Sequence, residues 1–345
     1  MRSARRGLMG GLKNMKTKYR VVYYNIVDTL DYENSLLKKW KVDNLELVEV
    51  KNRDGEHSFA DAAAEADGAV VEYEPITRQT MEKLNRCKII SLQSIGYNNI
   101  DIQAATERNI CVTNAPGFCT EDVALHCVGL LIDLVRNISY FDRRVHAGIW
   151  EYESAPKMHR IRGKTVGLVF FGSIPKAMVP MLKGLGLRIL AYAPTKTADY
   201  LASFEVEKAD TLDDLLQKAD FVSLHMPLKD ETYHMIGAEQ LAKMKKTAFL
   251  INTARGSVVD EAALAEALQN GTIAGCATDV IEDVDGHQTA LSSFENTVIT
   301  PHTAFLSEES YYGAREIALR QLVQRLVRKE PPDNLVNSEL AGRIS

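Results

Sequence analysis

The strongest constraint on this chain is an alternation that runs through nearly all of it. Short apolar runs are followed by stretches with helical spacing. RVVYYN (20–25) precedes ENSLLKKW, LELVEV (45–50) precedes FADAAAEA, and GAVVEY (68–73) precedes QTMEKL. KIISLQ (88–93) precedes DIQAATERN, and ICVTNA (110–115) closes the series. Strands that alternate with helices are joined by crossovers, so they run parallel. Buried on both faces, such strands read as continuous apolar runs.

The texture then changes. TEDVALHCVGLLIDLVRNISYFDRRVH (120–146) repeats its apolar residues at three and four. This predicts one long helix, with Thr120 as N-cap and acidic residues in the first turn. A polar loop follows. A second α/β series begins at Thr165, with strands at TVGLVFF, RILAYA (188–193), FVSLHM (221–226), AFLINT (248–253), GCATDV (275–280) and TVITPH (297–302). A last amphipathic helix is expected over Ser307 to Arg328. At 345 residues the chain is too long for one typical core, so two α/β domains are expected, one inserted in the other.

Composition narrows the function classes. Apolar content of 46% and charged content of 25% are ordinary for a soluble globular protein. A net charge of −5 argues against a nucleic-acid partner, which selects a basic face. No apolar run approaches the ~18 residues of a membrane span. Cys87, Cys111, Cys119, Cys127 and Cys276 have no metal-ligand spacing, which reads as buried free thiols in a reducing cytoplasm and no metal. Residues 1–18 are basic and lack a signal-peptide core. They are expected to be a disordered tail; a transit peptide and a true start nearer Met15 stay open.

In open parallel sheets ligands sit at the carboxyl ends of strands. Four such ends carry candidates. GLVFFGSIPKAM (167–178) places Gly172, Ser173 and Ile174 where a strand turns into a helix, the usual seat of a pyrophosphate. The usual fingerprint is G-x-G-x-x-G, and Phe170 and Pro175 replace its outer glycines. Pro175 donates no N–H, and Pro180 should bend the helix. After RILAYA the position of a ribose-binding acid is Ala193, with Thr195 and Lys196 beyond, so NADP is as plausible as NAD. INTARGSVVDE delivers Arg255 to a turn, where a guanidinium can grip a carboxylate through two bonds. An ion pair of Arg255 with Asp260 or Glu261 is the structural alternative. TVITPHTAF places His302 at another strand end, where an imidazole can exchange a proton near neutral pH.

With these motifs in view, the chain resembles the D-isomer-specific 2-hydroxyacid dehydrogenases over about Tyr19 to Asn334. The resemblance is carried by NIDIQAATERNICVTNAPGFCTEDVALH, DFVSLHMPLKDETYHMIG, LINTARGSVVDEAAL and NTVITPHTAF. It implies two flavodoxin-like or Rossmann-like domains with doubly wound parallel sheets and the active site in their cleft. Residues 19–117 and 312–345 would bind substrate, and the inserted 118–311 the dinucleotide. It further implies hydride transfer between a nicotinamide and C2 of a 2-hydroxy or 2-oxo acid. Arg255 matches the carboxylate-binding arginine, His302 the acid–base, and Ser94, Ile95 and Gly96 a loop that also grips the carboxylate. Gly172, Ser173 and Ile174 match the pyrophosphate turn; Thr253, Ala254 and Asp279 match positions near the nicotinamide. A homodimer in the cytoplasm, with a small-molecule substrate, is expected.

Three departures from the pattern stand out. Two are the altered glycine turn and Ala193. In the third, the carboxylate that pairs with the histidine falls five residues after Asp279, at Val284. Glu282, Asp283 and Asp285 are the substitutes at hand. An active 2-oxoacid reductase is the leading reading; a weakened relative acting as a dinucleotide sensor or scaffold is the alternative.

Overall fold

The structure is a computed structural model that describes residues 18–26, 28–52, 55, 58–72, 74–153, 155–282 and 289–344. The expected N-terminal tail, apart from Lys18, lies outside them. The chain divides into two compact units, Met1–Phe118 with Glu308–Ser345, and Cys119–Ser307.

The first unit holds five strands: β1 (Tyr19–Tyr24), β2 (Leu45–Val50), β3 (Gly68–Val71), β4 (Ile89–Leu92) and β5 (Cys111–Thr113). They form one parallel sheet in the order β2-β1-β3-β4-β5. Successive residues of β1 enter opposite cores, as the pleat requires. Val22 and Tyr24 join Phe59, Met81 and Ala104 on one face. Val21 and Tyr23 join Leu37, Leu319 and Leu322 on the other. The last helix is Glu308–Leu322, which continues as a π-helical segment over Val323–Arg328.

The second unit holds β6 (Thr165–Val169), β7 (Arg188–Tyr192), β8 (Glu207–Lys208), β9 (Phe221–Leu224), β10 (Phe249–Asn252), β11 (Gly275–Thr278) and β12 (Thr297–Ile299). Their order is β12-β11-β10-β9-β6-β7-β8, again all parallel. The chain leaves β6 first toward β7 and later returns to its other side with β9. That reversal beside β6 is the switch point where such sheets bind ligands. Gly167 in β6 lets a helix approach closely, since a Cβ there would lie 2.5 Å from Leu215. The two-residue β8 was not among the expected strands, because Glu207 and Lys208 carry no apolar signal.

One expectation is corrected. The long helix over 120–146 is two helices, Thr120–Arg136 and Ile138–His146, bent by 65°. Asn137 breaks it in the left-handed region, at φ 51°, which asparagine tolerates better than most residues. Asp133 then takes the Ser139 amide at 2.8 Å and also the Ser139 hydroxyl. The start is one residue earlier than expected, with Cys119 as N-cap. Among the described residues no single helix is long and apolar enough to cross a membrane. All five cysteines are buried and free of disulfides.

Candidate active site

Four strands of the second unit, three of them adjacent, end in the residues singled out above. β10 leads to Thr253, Ala254 and Arg255, β11 to Asp279, β12 to His302, and β6 to Gly172.

The turn that carries Arg255 is built by two residues. Asn252 is buried; its side chain donates to the Arg255 carbonyl at 2.9 Å and accepts from the Ala254 amide at 3.0 Å. Gly256 must be glycine, because a Cβ there would fall 1.9 Å from the Ile281 carbonyl oxygen. Arg255 Nη1 donates to the Ala254 carbonyl at 2.6 Å. Asp260 caps the Glu261–Gln269 helix through the Ala263 amide, at 3.0 Å. Glu261 accepts from the Glu282 amide and the Thr289 hydroxyl, at 3.1 and 2.5 Å. Both carboxylates are therefore committed to other partners. Thr253 meets the thiol of Cys127 at 3.0 Å; burial pushes that thiol up to about 12.

Asp279 is 1% exposed and organises the next turn. Its carboxylate takes the Thr300 hydroxyl at 2.5 Å and the amides of Thr303 and Ala304 at 2.8 and 2.9 Å. Its backbone carbonyl takes the His302 amide at 2.8 Å. A carboxylate offers about four acceptor sites. Three are filled by these contacts, and one remains for a further donor.

His302 has φ 54°, a left-handed conformation that costs a non-glycine residue about 1–2 kcal/mol. The Asp279 contacts hold it there. Among the described residues its imidazole has no hydrogen bond. Desolvation pushes that imidazole below its usual range; the Asp279 carboxylate opposes this and the Arg255 guanidinium adds to it. The residue is nevertheless exposed to solvent on one side, which limits the depression. His225, after β9, is different. Burial pushes it down to about 3, with Ser223 at 2.9 Å from its Nε2, so it stays neutral at working pH.

The expected replacement for the missing carboxylate is corrected for Glu282. Its Oε1 lies 2.5 Å from His234 Nε2, not on His302. His234 is fixed in turn by stacking on Tyr233. Asp283, Val284 and Asp285 lie outside the described residues.

Gly172 is the N-cap of the Ser173–Gly184 helix, with φ −98° and ψ −153°. Nothing lies within 4 Å of a Cβ placed on it. The first-turn amides of Ser173 and Ile174 have no acceptor among the described residues, and Pro175, the third residue, supplies no donor. Phe170 takes φ 71°, the conformation a glycine would adopt there, and its ring packs on the core of the second unit. Open space, two free amides and a positive helix end fit a pyrophosphate. The helix runs on as one element through Pro180, which is exposed.

Beyond β7, Ala193 is buried and its carbonyl accepts from the Lys196 amide at 3.0 Å. Lys196 Nζ stands 5.2 Å from the Tyr200 ring centre, and Thr195 is exposed. In the first unit the Ser94–Gly96 loop ties down its carbonyls. Ala115 N donates to Ser94 O at 2.9 Å, Asn114 Nδ2 to Ile95 O at 2.8 Å, and Ser94 Oγ to Gly96 O at 2.8 Å. The amides of Ser94, Ile95 and Gly96 have no acceptor among the described residues, so they are donors in search of an anion.

The residues not foreseen from the sequence are Asn252, Thr300, His225 and His126. Each is a polar residue at or facing a strand end, a weak signal without knowledge of which strands are neighbours.

Comparison with known proteins agrees with this geometry. A family model described as "D-isomer specific 2-hydroxyacid dehydrogenase, NAD binding domain" matches residues 128–304. A glyoxylate reductase of Korarchaeum cryptofilum is 41% identical over 271 residues, 77% of this chain and 81% of that protein. The apo-structure of D-lactate dehydrogenase from Escherichia coli superposes with a TM-score of 0.77 at 29% identity, over 92% of this chain and 99% of that one. D-lactate dehydrogenase from Aquifex aeolicus, solved with NAD and lactic acid, gives 0.77 at 28% identity, over 89% and 95%. With its two parallel α/β units and these relatives, this chain belongs to the D-isomer specific 2-hydroxyacid dehydrogenases and is an NAD(P)-dependent oxidoreductase.

Proposed function

We propose that this chain reduces a small 2-oxo acid at C2, glyoxylate being the first to test. NADH or NADPH supplies the hydride when bound. Arg255 and the open amides of Ser94, Ile95 and Gly96 take the substrate carboxylate. His302, as imidazolium, gives its proton to the oxygen on C2 and is left neutral. Gly172, Ser173 and Ile174 take the pyrophosphate. Thr195 and Lys196 face the adenine-side ribose, and Thr253, Ala254 and Asp279 the nicotinamide, with the spare acceptor of Asp279 for its amide. On this reading 19–117 with 312–345 is the substrate domain and 118–311 the dinucleotide domain.

The observation that carries the reading is the delivery of Arg255, Asp279 and His302 by three adjacent strand ends. A sensor or scaffold would leave Arg255, His302 and the open loop amides without a use. We further assign the chain to the cytoplasm as a homodimer. Ile138, Val145, Ile149, Trp150 and Tyr152 are exposed apolar or aromatic side chains within one short stretch, the usual mark of a contact surface.

Titration with NADH and NADPH, followed by nicotinamide fluorescence, tests the cofactor. Consumption of either with a panel of 2-oxo acids, followed by absorbance, tests the reaction. Binding and turnover are expected, with turnover lost in His302→Ala and Arg255→Ala. Absence of binding at millimolar cofactor, or wild-type rates in both variants, overturns the proposal.

A further inference from the structure

The Thr120–Arg136 helix packs along β10, β11 and β12, and one of its side chains reaches their site ends. His126 Nε2 lies 3.0 Å from Thr300 Oγ1 and 3.8 Å from Asp279 Oδ1. Thr300 Oγ1 is 2.5 Å from the same Asp279 oxygen.

Proton counting orders this chain. Both carboxylate oxygens of Asp279 already accept backbone N–H groups, from Thr303 and Ala304, so they act as acceptors. The single hydroxyl proton of Thr300 therefore goes to Asp279. The Thr300 oxygen is then an acceptor, and His126 must donate to it from Nε2–H. The direction is His126 to Thr300 to Asp279, and it places the His126 proton on Nε2 whether the ring is neutral or charged.

What hangs from Asp279 is the turn that carries His302. The Thr300 hydroxyl before it and the Thr303 and Ala304 amides after it all bond the carboxylate. The His302 amide bonds the carbonyl of the same residue. The turn is held in a left-handed conformation at His302 itself, so its position depends on these contacts. Thr300 is the one member of this group whose donor is a rotatable hydroxyl, free to swing unless something fixes its oxygen.

We propose that His126 is a positioning residue of the reaction. By donating to Thr300 it aims that hydroxyl at Asp279, and so locks the turn that sets the place of the His302 imidazole. This rests on the assignment of His302 as proton donor. It adds a residue, far from it in sequence, that acts through Thr300 and Asp279.

The test is steady-state reduction by His126→Ala, His126→Gln, Thr300→Val, Thr300→Ser and the double His126→Ala/Thr300→Val, beside His302→Ala. In His126→Ala kcat should fall roughly tenfold or more, the scale of misplacing a reacting group by a fraction of an ångström to an ångström. The dissociation constant for NADH or NADPH, read by fluorescence, should stay within about twofold. His126→Gln, which keeps an N–H donor, should recover most of kcat. Thr300→Val should match His126→Ala, Thr300→Ser should recover, and the double should lose no more than the worse single, since the two act in series.

A wild-type kcat in His126→Ala, or losses that simply multiply in the double, overturns the proposal. So does a His126→Gln variant as slow as His126→Ala. If His126→Ala does not fold, the contrast of Thr300→Val with Thr300→Ser decides alone, and equal kcat in those two overturns it. Retained turnover in His302→Ala would instead strike the assignment of His302 itself.

Discussion

Replacing Gly172 with valine separates fold from cofactor binding at the turn that departs most from the usual pattern. The backbone of Gly172 is extended, at φ −98° and ψ −153°, and its negative φ does not require glycine. A Cβ there meets nothing within 4 Å. Valine loses less backbone entropy on folding than glycine, which offsets its poorer fit at a helix N-cap, so the melting midpoint of Gly172→Val should shift little. The new methyl groups occupy the space in front of the free Ser173 and Ile174 amides. A hydrogen bond to a charged group contributes about 1.5–3 kcal/mol. Losing one such bond weakens NADH or NADPH binding by at least about tenfold. Phe170→Gly is the paired control. It relieves about 1–2 kcal/mol of left-handed strain and removes a half-buried ring worth a similar amount, while the phosphate-facing amides stay in place. Fluorescence titration should show affinity within about threefold of wild type. Wild-type affinity in Gly172→Val would refute the pyrophosphate turn. A large gain in Phe170→Gly would show that the ring, and not the missing proline N–H, limits the site.

Other outcomes follow from the same geometry. The His302 imidazole has its acid form depressed below the usual range near 6.5, and reduction needs the protonated form. Reduction kcat/KM should therefore fall as pH rises through a value below about 6.5, with oxidation rising instead; a reduction profile flat to pH 8 would exclude His302 as the acid. The same depression means the unfolded chain takes up this proton first. This residue thus costs stability as pH falls below about 6.5, and nothing above it. In the first unit, Arg315 is 3% exposed and Glu33 0%, joined by bonds of 2.8 and 2.6 Å. Arg315→Ala should cost about 3–5 kcal/mol in urea unfolding, and Arg315→Met with Glu33→Leu much less; equal losses would show that the charge left behind is not the cause. Lys196→Glu should weaken NADPH at least about tenfold more than NADH, because a carboxylate there repels a 2′-phosphate and accepts from a free ribose. Equal weakening of both would remove Lys196 from the ribose site.

Much of the fold was legible because its signals are local. Eleven expected strands coincide with observed ones to within a few residues at each end, since most are buried apolar runs bounded by a helix. The strand-end placement of Arg255 and His302 was readable for the same reason. What was not readable depends on single side chains or on sheet order. The break at Asn137 falls inside an apolar pattern that continues across it, and only the capture of Ser139 by Asp133 distinguishes a bend from a straight helix. Phe170 in a left-handed conformation cannot be told from a strand residue, because aromatic residues favour strands. The turn geometry is thus kept without the glycine that usually signals it. Asn252, Thr300 and His126 gain meaning only once β10, β11 and β12 are neighbours.

Among the described residues no carboxylate bonds the His302 imidazole, and this bears on how such a site can work. Glu282, one residue from several alternatives in sequence, is spent elsewhere. One of its oxygens meets His234, while its amide donates to Glu261. That arrangement ties the segment after β11 to the Glu261–Gln269 helix, which Asp260 caps. A carboxylate so placed cannot also orient an imidazole on the next strand. Among the described residues, the negative charge that acts on His302 is Asp279. It acts through space, and the Arg255 guanidinium offsets part of its field. A direct partner would both aim the ring and raise its pKa. Here the two effects come from one buried residue by separate routes. The carboxylate bonds of Asp279 fix the turn, and its charge supports the imidazolium. Among the described residues the aim of the ring depends on backbone geometry and not on a side-chain clamp, which is why the contacts that pin Thr300 matter to the chemistry.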